Sequence, residues 1–376
     1  MTMKFILFDI DGVLLQSEGY HRSLMTSLNR IGTALGAPNA RLNSNQIAHF
    51  EALSVTNEWD SLAICTALIL LEVWKIDGNI RLNSLDPYLP ALVERPIEFD
   101  PFLDRFLVTG LLPGHSAYDQ IVRENTWLDD TQRQYLSEIL HQCGDIYRSP
   151  TLPGHQETVI GSQLFTELYG LEPQLHIDSY LSQFDRPIMT AEQDQSLREW
   201  LSNLNHKAGF MTNRPCSAPD GFLSAPEAEI AINAIGYEQL PIMGSGLLAW
   251  YASTRCEGDE HQFLKPNPVH ALALLQMCTG LNPEEAIEKA TALVKGNHSC
   301  EEWKKYSEAK VVIFEDSAKG LRSGIAAEKL LTELGINIEL SLIGVSENAI
   351  KRRALKPFAH RIIQSINEVE WESVFL

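Results

Sequence analysis

The sequence predicts an α/β protein: a doubly wound parallel sheet with helices on both faces, interrupted after its first strand by a large helical insertion. Three observations carry this. The chain opens on a short apolar run, KFILF at 4–8, that ends abruptly in DIDG. From about residue 20 to 148 the apolar spacing is helical almost throughout, and after 187 short β-rich runs alternate with helical segments. The first strand finds no partner in the helical stretch, so it has to pair with strands that follow residue 187. The expected division is therefore 1–15 with 188–376 as one α/β domain, and 16–187 as an inserted helical domain.

KFILF is bulky and apolar enough for a strand buried on both faces. The insertion reads as the helices YHRSLMTSLNRIGTALG, NQIAHFEALS, SLAICTALILLEVW and TQRQYLSEILHQCGDIY, separated by Pro- and Gly-bearing loops such as DPYLP and LLPGH. Between 149 and 187 only GSQLFTELYG looks helical. After 187, Thr190 is the expected N-cap of TAEQDQSLREWLSNL, and AGFMTN follows as a strand. APEAEIAINAIG, PNPVHALALLQMCTG and PEEAIEKATALVK read as helices, the last two with Pro in their first turns. LPIMG, KVVIFED, ELSLIGVS and HRIIQS complete the strands, with the helix AKGLRSGIAAEKLLTELG and another starting from Glu347. CEGDEH and GNHSC read as solvated loops.

The 376 residues are 44% hydrophobic and 21% charged, an ordinary globular composition with room for two or three domains. A formal charge of −19 argues against a nucleic-acid binder and against attachment to anionic membranes. The longest apolar run, LAICTALILL at 62–71, is too short to span a bilayer and reads as a buried helix. MTMKFILF, cut short by Asp9, lacks the form of a signal peptide, and six cysteines without CxxC pairing suit reduced thiols. A cytoplasmic location is the expectation.

Asp9 and Asp11 stand at the carboxyl end of the first strand, where open α/β sheets place their ligands, and alternation sends both the same way. Two carboxylates this close repel unless one is protonated or a cation lies between them, which points to acid/base chemistry, a metal, or a merely solvated strand end. Three more strand ends and turns carry polar groups. GFMTNR places Thr212 and Asn213 past a strand, where a hydroxyl and backbone N–H groups can hold an anion. FLKPNP places Lys265 before a helix, and VVIFEDSAKG ends a strand in Glu315 and Asp316. Arg214, next to Asn213, is a further candidate for anion contact.

In order, DxDG, hydrophobic-Thr-Asn, Lys-Pro and hydrophobic-Glu-Asp-Ser-x-x-Gly resemble the four signature motifs of the haloacid dehalogenase (HAD) superfamily of phosphatases and phosphotransferases. QSEGYH, at the start of the insertion, and AHRIIQSINEVEW near the end are similar to the subfamily containing phosphoglycolate phosphatase and β-phosphoglucomutase. The resemblance implies a Rossmann-like core with a C1-type helical cap. It implies Asp9 as nucleophile, forming an aspartyl-phosphate, and Asp11 as the acid that protonates the leaving oxygen and then activates water. It further implies Mg²⁺ held by Asp9, the backbone carbonyl of Asp11, Glu315 and Asp316, with Thr212, Asn213, Lys265 and Arg214 on the phosphoryl oxygens. The dehalogenases lack an acid at the Asp11 position, because halide leaves without a proton; Asp11 therefore favours phosphoryl transfer.

A cap of this size favours a small phosphorylated metabolite over a phosphoprotein or nucleic acid. Glu18, His21, Asn57, Glu58, Trp59 and Arg123 are candidates for reading the leaving group. Gln16 and Val13 stand where the family often has Asp and Thr. The expected function is a Mg²⁺-dependent phosphatase; a phosphomutase and a non-catalytic binding protein are the alternatives. Phosphonate cleavage would need a cap lysine, and Lys75 is alone between 16 and 187.

Overall fold

The computed structural model describes residues 2–53, 55–82, 90–110, 112–256, 262–296 and 300–375, with Cys300 as backbone only. Most of DPYLP and CEGDEH and the centre of GNHSC lie outside the described residues. The chain divides into two compact units, residues 1–17 with 185–376, and residues 18–184.

The first unit is built on a six-stranded parallel sheet. Its strands are β1 (Lys4–Phe8), β4 (His206–Met211), β5 (Ile242–Met243), β6 (Lys310–Glu315), β7 (Glu339–Val345) and β8 (Arg361–Ile363), in the order β5-β4-β1-β6-β7-β8. Phe5, Ile6, Leu7 and Phe8 of β1 are all buried. Successive side chains point to opposite faces, so both faces of the central strand are covered, as the continuous apolar run requires. Each such side chain stabilises the fold by roughly 1.5–3 kcal/mol. The chain runs outward from β1 to β4 and β5, then returns to lay β6, β7 and β8 on the other side of β1. That reversal opens a crevice at the carboxyl ends of β1 and its neighbours.

A two-residue antiparallel ribbon, β2 (Leu15–Gln16) with β3 (Arg186–Pro187), belongs to this unit as well. It keeps residues 16–17 and 185–187 with the sheet, where the sequence places them in the insertion. Strands this short carry no periodicity to read.

In the helical unit, α1 (Glu18–Ala34), α2 (Ser44–Ala52), α3 (Glu58–Trp74), α4 (Asp100–Leu103), α5 (Pro113–Glu124), α6 (Asp130–His141), α7 (Leu152–Ile160), α8 (Ser162–Tyr169) and α9 (Tyr180–Phe184) follow one another. The LAICTALILL run forms the middle of α3, which is buried on nearly every side against α1, α5 and α6. Thr66 tolerates this position because its hydroxyl donates to the Leu62 carbonyl at 2.8 Å. Reciprocal capping boxes, Asn43 with Gln46 and Asp129 with Gln132, start α2 and α6. Three helices differ from the sequence reading: Pro113 of LLPGH starts α5 rather than lying in a loop, Leu152 of TLPGH starts α7, and α9 lies in a stretch read as loop. In α5 and α7, Pro occupies the first turn, where its missing N–H costs nothing.

The remaining helices flank the sheet: α10 (Ala191–Leu201), α11 (Glu227–Ile235), α12 (Ser245–Tyr251), α13 (Pro268–Met277), α14 (Pro283–Val294), α15 (Ala318–Glu333) and α16 (Ala349–Leu355). Thr190 caps α10 as expected, accepting from Gln193 N at 3.2 Å. α13 packs on β1, β4 and β5, and α15 on β6 and β7. No helix among the described residues is long and apolar enough to cross a membrane.

Candidate active site

Sheet register decides which side chains meet. Phe8 is paired with Phe210 on one side and Phe314 on the other, and its ring stacks on Phe314 at 5.5 Å. One residue beyond these phenylalanines, Asp9 is level with Glu315, the last residue of β6, and one residue further on Thr212 and Asp316 leave the ends of β4 and β6. Asp9 N donates to Phe314 O at 2.9 Å, which fixes the level directly.

Asp9, Glu315 and Asp316 bring carboxylate oxygens within 4.8 Å of one another. Lys265, from the turn before α13, donates from Nζ to Asp9 Oδ1 at 2.9 Å and to Glu315 Oε1. Its side chain is 3% exposed. The other oxygen of Glu315 accepts from the Ser317 hydroxyl at 2.9 Å, and that hydroxyl accepts from Gly320 N, so one residue caps α15 and orients the acid. Gly320 is required by contact: a Cβ there would lie 1.8 Å from Glu315 Oε1. Lys351, in the first turn of α16, donates to Asp316 Oδ2 at 2.7 Å.

Burial and mutual repulsion hold the pKa of Asp9 well above the ordinary carboxylate value, with Lys265 pulling against them. Glu315 and Asp316 are raised chiefly by burial, although Lys265 and Lys351 respectively work to lower them. Burial alone would lower the lysine, yet the charges of Asp9 and Glu315 outweigh it and leave Lys265 above its usual value. Three carboxylates thus remain under-compensated by the lysines that reach them. A set of hard oxygen donors with surplus negative charge fits a hard divalent cation.

The Asp11 carboxylate is occupied elsewhere. Arg214 Nε donates to Asp11 Oδ1 and Oδ2 at 3.0 and 2.9 Å, Arg214 Nη2 donates to Oδ1 at 2.6 Å, and the Ser17 hydroxyl donates to the same oxygen. Burial works to raise the pKa of Asp11, but the charge and hydrogen bonds of Arg214, helped by Ser17, carry it below the usual value. The two acids of DIDG therefore sit in opposite electrostatic environments, two residues apart.

Thr212 is fully buried and its Oγ1 accepts from Arg214 N at 3.1 Å, while Asn213 is exposed just past β4. Arg214, a candidate phosphoryl contact by sequence, spends its guanidinium on Asp11 and on Asp185 at 2.9 Å. In the helical unit, Glu18 pairs with Arg22 at 2.9 Å, His21 lies 3.6 Å from Glu51, and Asn57 approaches Asp60 at 3.4 Å. Glu58 opens α3, Trp59 packs on the helical core, and Arg123 is exposed near the end of α5. Sequence reasoning missed Ser17, Asp185 and Lys351. Ser17 lies within reach of the DIDG motif in sequence, but no local pattern marks Asp185 or Lys351, whose partners are distant in the chain.

Gly12 turns the chain away from the cluster at φ +73, and a Cβ there would lie 2.6 Å from Asp316 Oδ2. Gly12→Ala is expected to cost about 1–2 kcal/mol of stability, from the left-handed backbone alone. It should also weaken divalent-cation binding by displacing Asp316. Urea unfolding and calorimetric cation titration check the two effects; a variant as stable as wild type would contradict the first.

No family model and no curated protein matches the chain. Among solved structures, the chain is similar to an X-ray structure of a Northeast Structural Genomics Consortium target, at 17% identity over 97% of each chain with a TM-score of 0.61. It also aligns with phosphatase Tt82 from Thermococcus thioreducens, at 14% identity over 94% of this chain and 99% of that one, TM-score 0.41. A hydrolase from Pseudomonas syringae aligns at 14% identity over 97% and 94%, TM-score 0.30. The first of these likenesses shows a shared fold across nearly the whole chain.

Proposed function

We propose that the protein is a Mg²⁺-dependent phosphatase of the HAD superfamily that hydrolyses a small phosphate monoester through an aspartyl-phosphate on Asp9. One observation carries the reading: buried Asp9, Lys265 and Glu315 and half-buried Asp316 cluster at the carboxyl end of the sheet, with a second acid, Asp11, bound by Arg214 instead. Asp9 is the nucleophile. Its carboxylate oxygen forms a bond to phosphorus as the bond to the leaving oxygen breaks, and the leaving oxygen takes a proton from Asp11. Water then gives a proton to Asp11 and attacks phosphorus, which releases inorganic phosphate and restores Asp9.

Asp9, Glu315, Asp316 and the Asp11 carbonyl are the residues that hold Mg²⁺, which supplies positive charge to the phosphoryl oxygens and to the acids around them. Lys265, Thr212 and Asn213 bind and orient the same oxygens, the dominant form of catalysis for this reaction. Arg214 keeps Asp11 ionised in the resting protein, which suits it as the base of the second step. Its acid role in the first step requires the approaching phosphate to raise its proton affinity.

The test is hydrolysis of 4-nitrophenyl phosphate with and without Mg²⁺, followed by a panel of small phosphorylated metabolites. Turnover that needs the cation is expected, and Asp11→Asn should keep Mg²⁺ affinity while losing on the order of 10²–10⁴-fold in turnover. Wild-type inactivity across the panel with bound cation would sink the reading. A loss of Mg²⁺ affinity in Asp11→Asn equal to that in Asp9→Asn would show that the carboxylate of Asp11 is a ligand after all.

A further inference from the structure

The general acid of the proposed reaction does not stand free in its site. Both oxygens of Asp11 accept hydrogen bonds from Arg214 Nε, and Oδ1 accepts two more, from Arg214 Nη2 and Ser17 Oγ. The guanidinium that makes this grip is itself held. Its Nη2 donates to Asp185 Oδ2 at 2.9 Å, its Nη1 lies 3.5 Å from the Glu227 carbonyl, and its own backbone N–H is fixed to Thr212 Oγ1. The side chains of Arg214 and Asp185 are each 2% exposed, whereas that of Asp11 is 34% exposed. A buried pair thus grips an acid that reaches toward solvent. Ser17 and Asp185 are also the last and first residues of the α/β unit at its two chain crossings.

We infer that Arg214, oriented by Asp185, is a positioning residue that fixes the carboxylate of Asp11 for proton transfer. Arginine suits this task because its planar fork meets a carboxylate through two donors at once and leaves a further edge for the second acid; lysine offers a single point charge on a flexible stem. Arg214 acts on the reaction through Asp11, because Nε and Nη2 donate to the carboxylates of Asp11 and Asp185 and Nη1 faces the Glu227 carbonyl. A misplacement of about 1 Å in a proton-transferring group is enough to cost on the order of 10²-fold in rate.

The inference rests on the phosphatase reading and is tested by leaving-group dependence. kcat/KM reports the first chemical step, in which Asp11 protonates the leaving oxygen. An alkyl phosphate needs that proton, while 4-nitrophenolate leaves without it. Arg214→Met is expected to lower kcat/KM for glycerol phosphate about 10–100-fold, and for 4-nitrophenyl phosphate by less than about threefold. Arg214→Lys should recover part of the loss. Since Arg214→Met leaves Asp185 buried without its partner and can fail to fold, Asp185→Asn is the second variant. It keeps the guanidinium on Asp11 but removes the charge that orients it, so the same substrate split should appear at smaller size. Equal loss on the two substrates in the folded variants, or no loss on either, would overturn the inference while leaving the phosphatase reading standing. Wild-type inactivity toward both substrates would overturn the phosphatase reading and the inference together.

Discussion

Asp9→Asn is expected to lower kcat by at least about 10⁴-fold while leaving the fold intact. The amide has nearly the shape of the carboxylate but cannot attack phosphorus, and the neighbouring Glu315 is held by Lys265 and Ser317. The same substitution should raise stability at neutral pH. Burial and Glu315 hold the Asp9 pKa above its ordinary value, so the folded protein keeps its proton to higher pH than the unfolded chain does. Stability from a raised group is complete below the unfolded carboxylate value and is lost as pH rises through the folded one. The gain in Asp9→Asn should therefore be present at neutral pH and vanish in acid. Turnover retained within about tenfold of wild type would remove the nucleophile assignment.

Lys265→Met carries the largest expected cost in stability, about 3–5 kcal/mol at neutral pH without divalent cation. The substitution leaves Asp9 and Glu315 buried without the ammonium that now bridges them. Lys265 itself has a raised pKa, so its contribution is complete below the ordinary lysine value and is lost only in strong alkali. The pH dependence comes from the acids. Without Lys265 the pKa values of Asp9 and Glu315 rise further, so the deficit should be small in mild acid, where they are protonated, and grow as pH rises to neutral. Mg²⁺ at 100 times its dissociation constant should stabilise the variant by about 2.7 kcal/mol, and it recovers part of the deficit because the uncompensated acids bind it more tightly than the wild-type cluster does. Urea unfolding at acidic and neutral pH, with and without Mg²⁺, checks this. A deficit independent of both pH and Mg²⁺ would mean that the lysine acts by packing rather than by charge.

The sheet was legible because its strands are continuous apolar runs, and the point where each run meets a polar residue marks the edge where Asp9, Thr212 and Glu315 emerge. What register adds is that they emerge within one residue of the same level, and that depends on the pairing of Phe8 with Phe210 and Phe314, which no single strand carries in its own sequence. The starts of α5 and α7 were illegible for a local reason. Pro113 and Pro153 read as breakers, yet a proline in the first turn of a helix displaces no hydrogen bond.

The surroundings of Asp11 were illegible for a different reason. Asp185 and Arg214 are 29 residues apart, and Arg214 reaches back 203 residues to Asp11. Beside Thr212 and Asn213, an arginine reads most simply as an anion contact. Only the folded chain puts two carboxylates against it. The motif therefore supplied the residue types of the candidate site, while the division between a cation-seeking cluster and an arginine-bound acid came from geometry.

The most direct test of the account is to find where the phosphoryl group goes. Wild-type protein mixed with 4-nitrophenyl phosphate and Mg²⁺, quenched in acid within a turnover and digested, should carry one phosphoryl group on the peptide containing residues 5–22, localised by fragmentation to Asp9. Asp9→Asn should carry none. Turnover with no phosphoryl group on that peptide, or with the group localised to Asp11, would contradict the account.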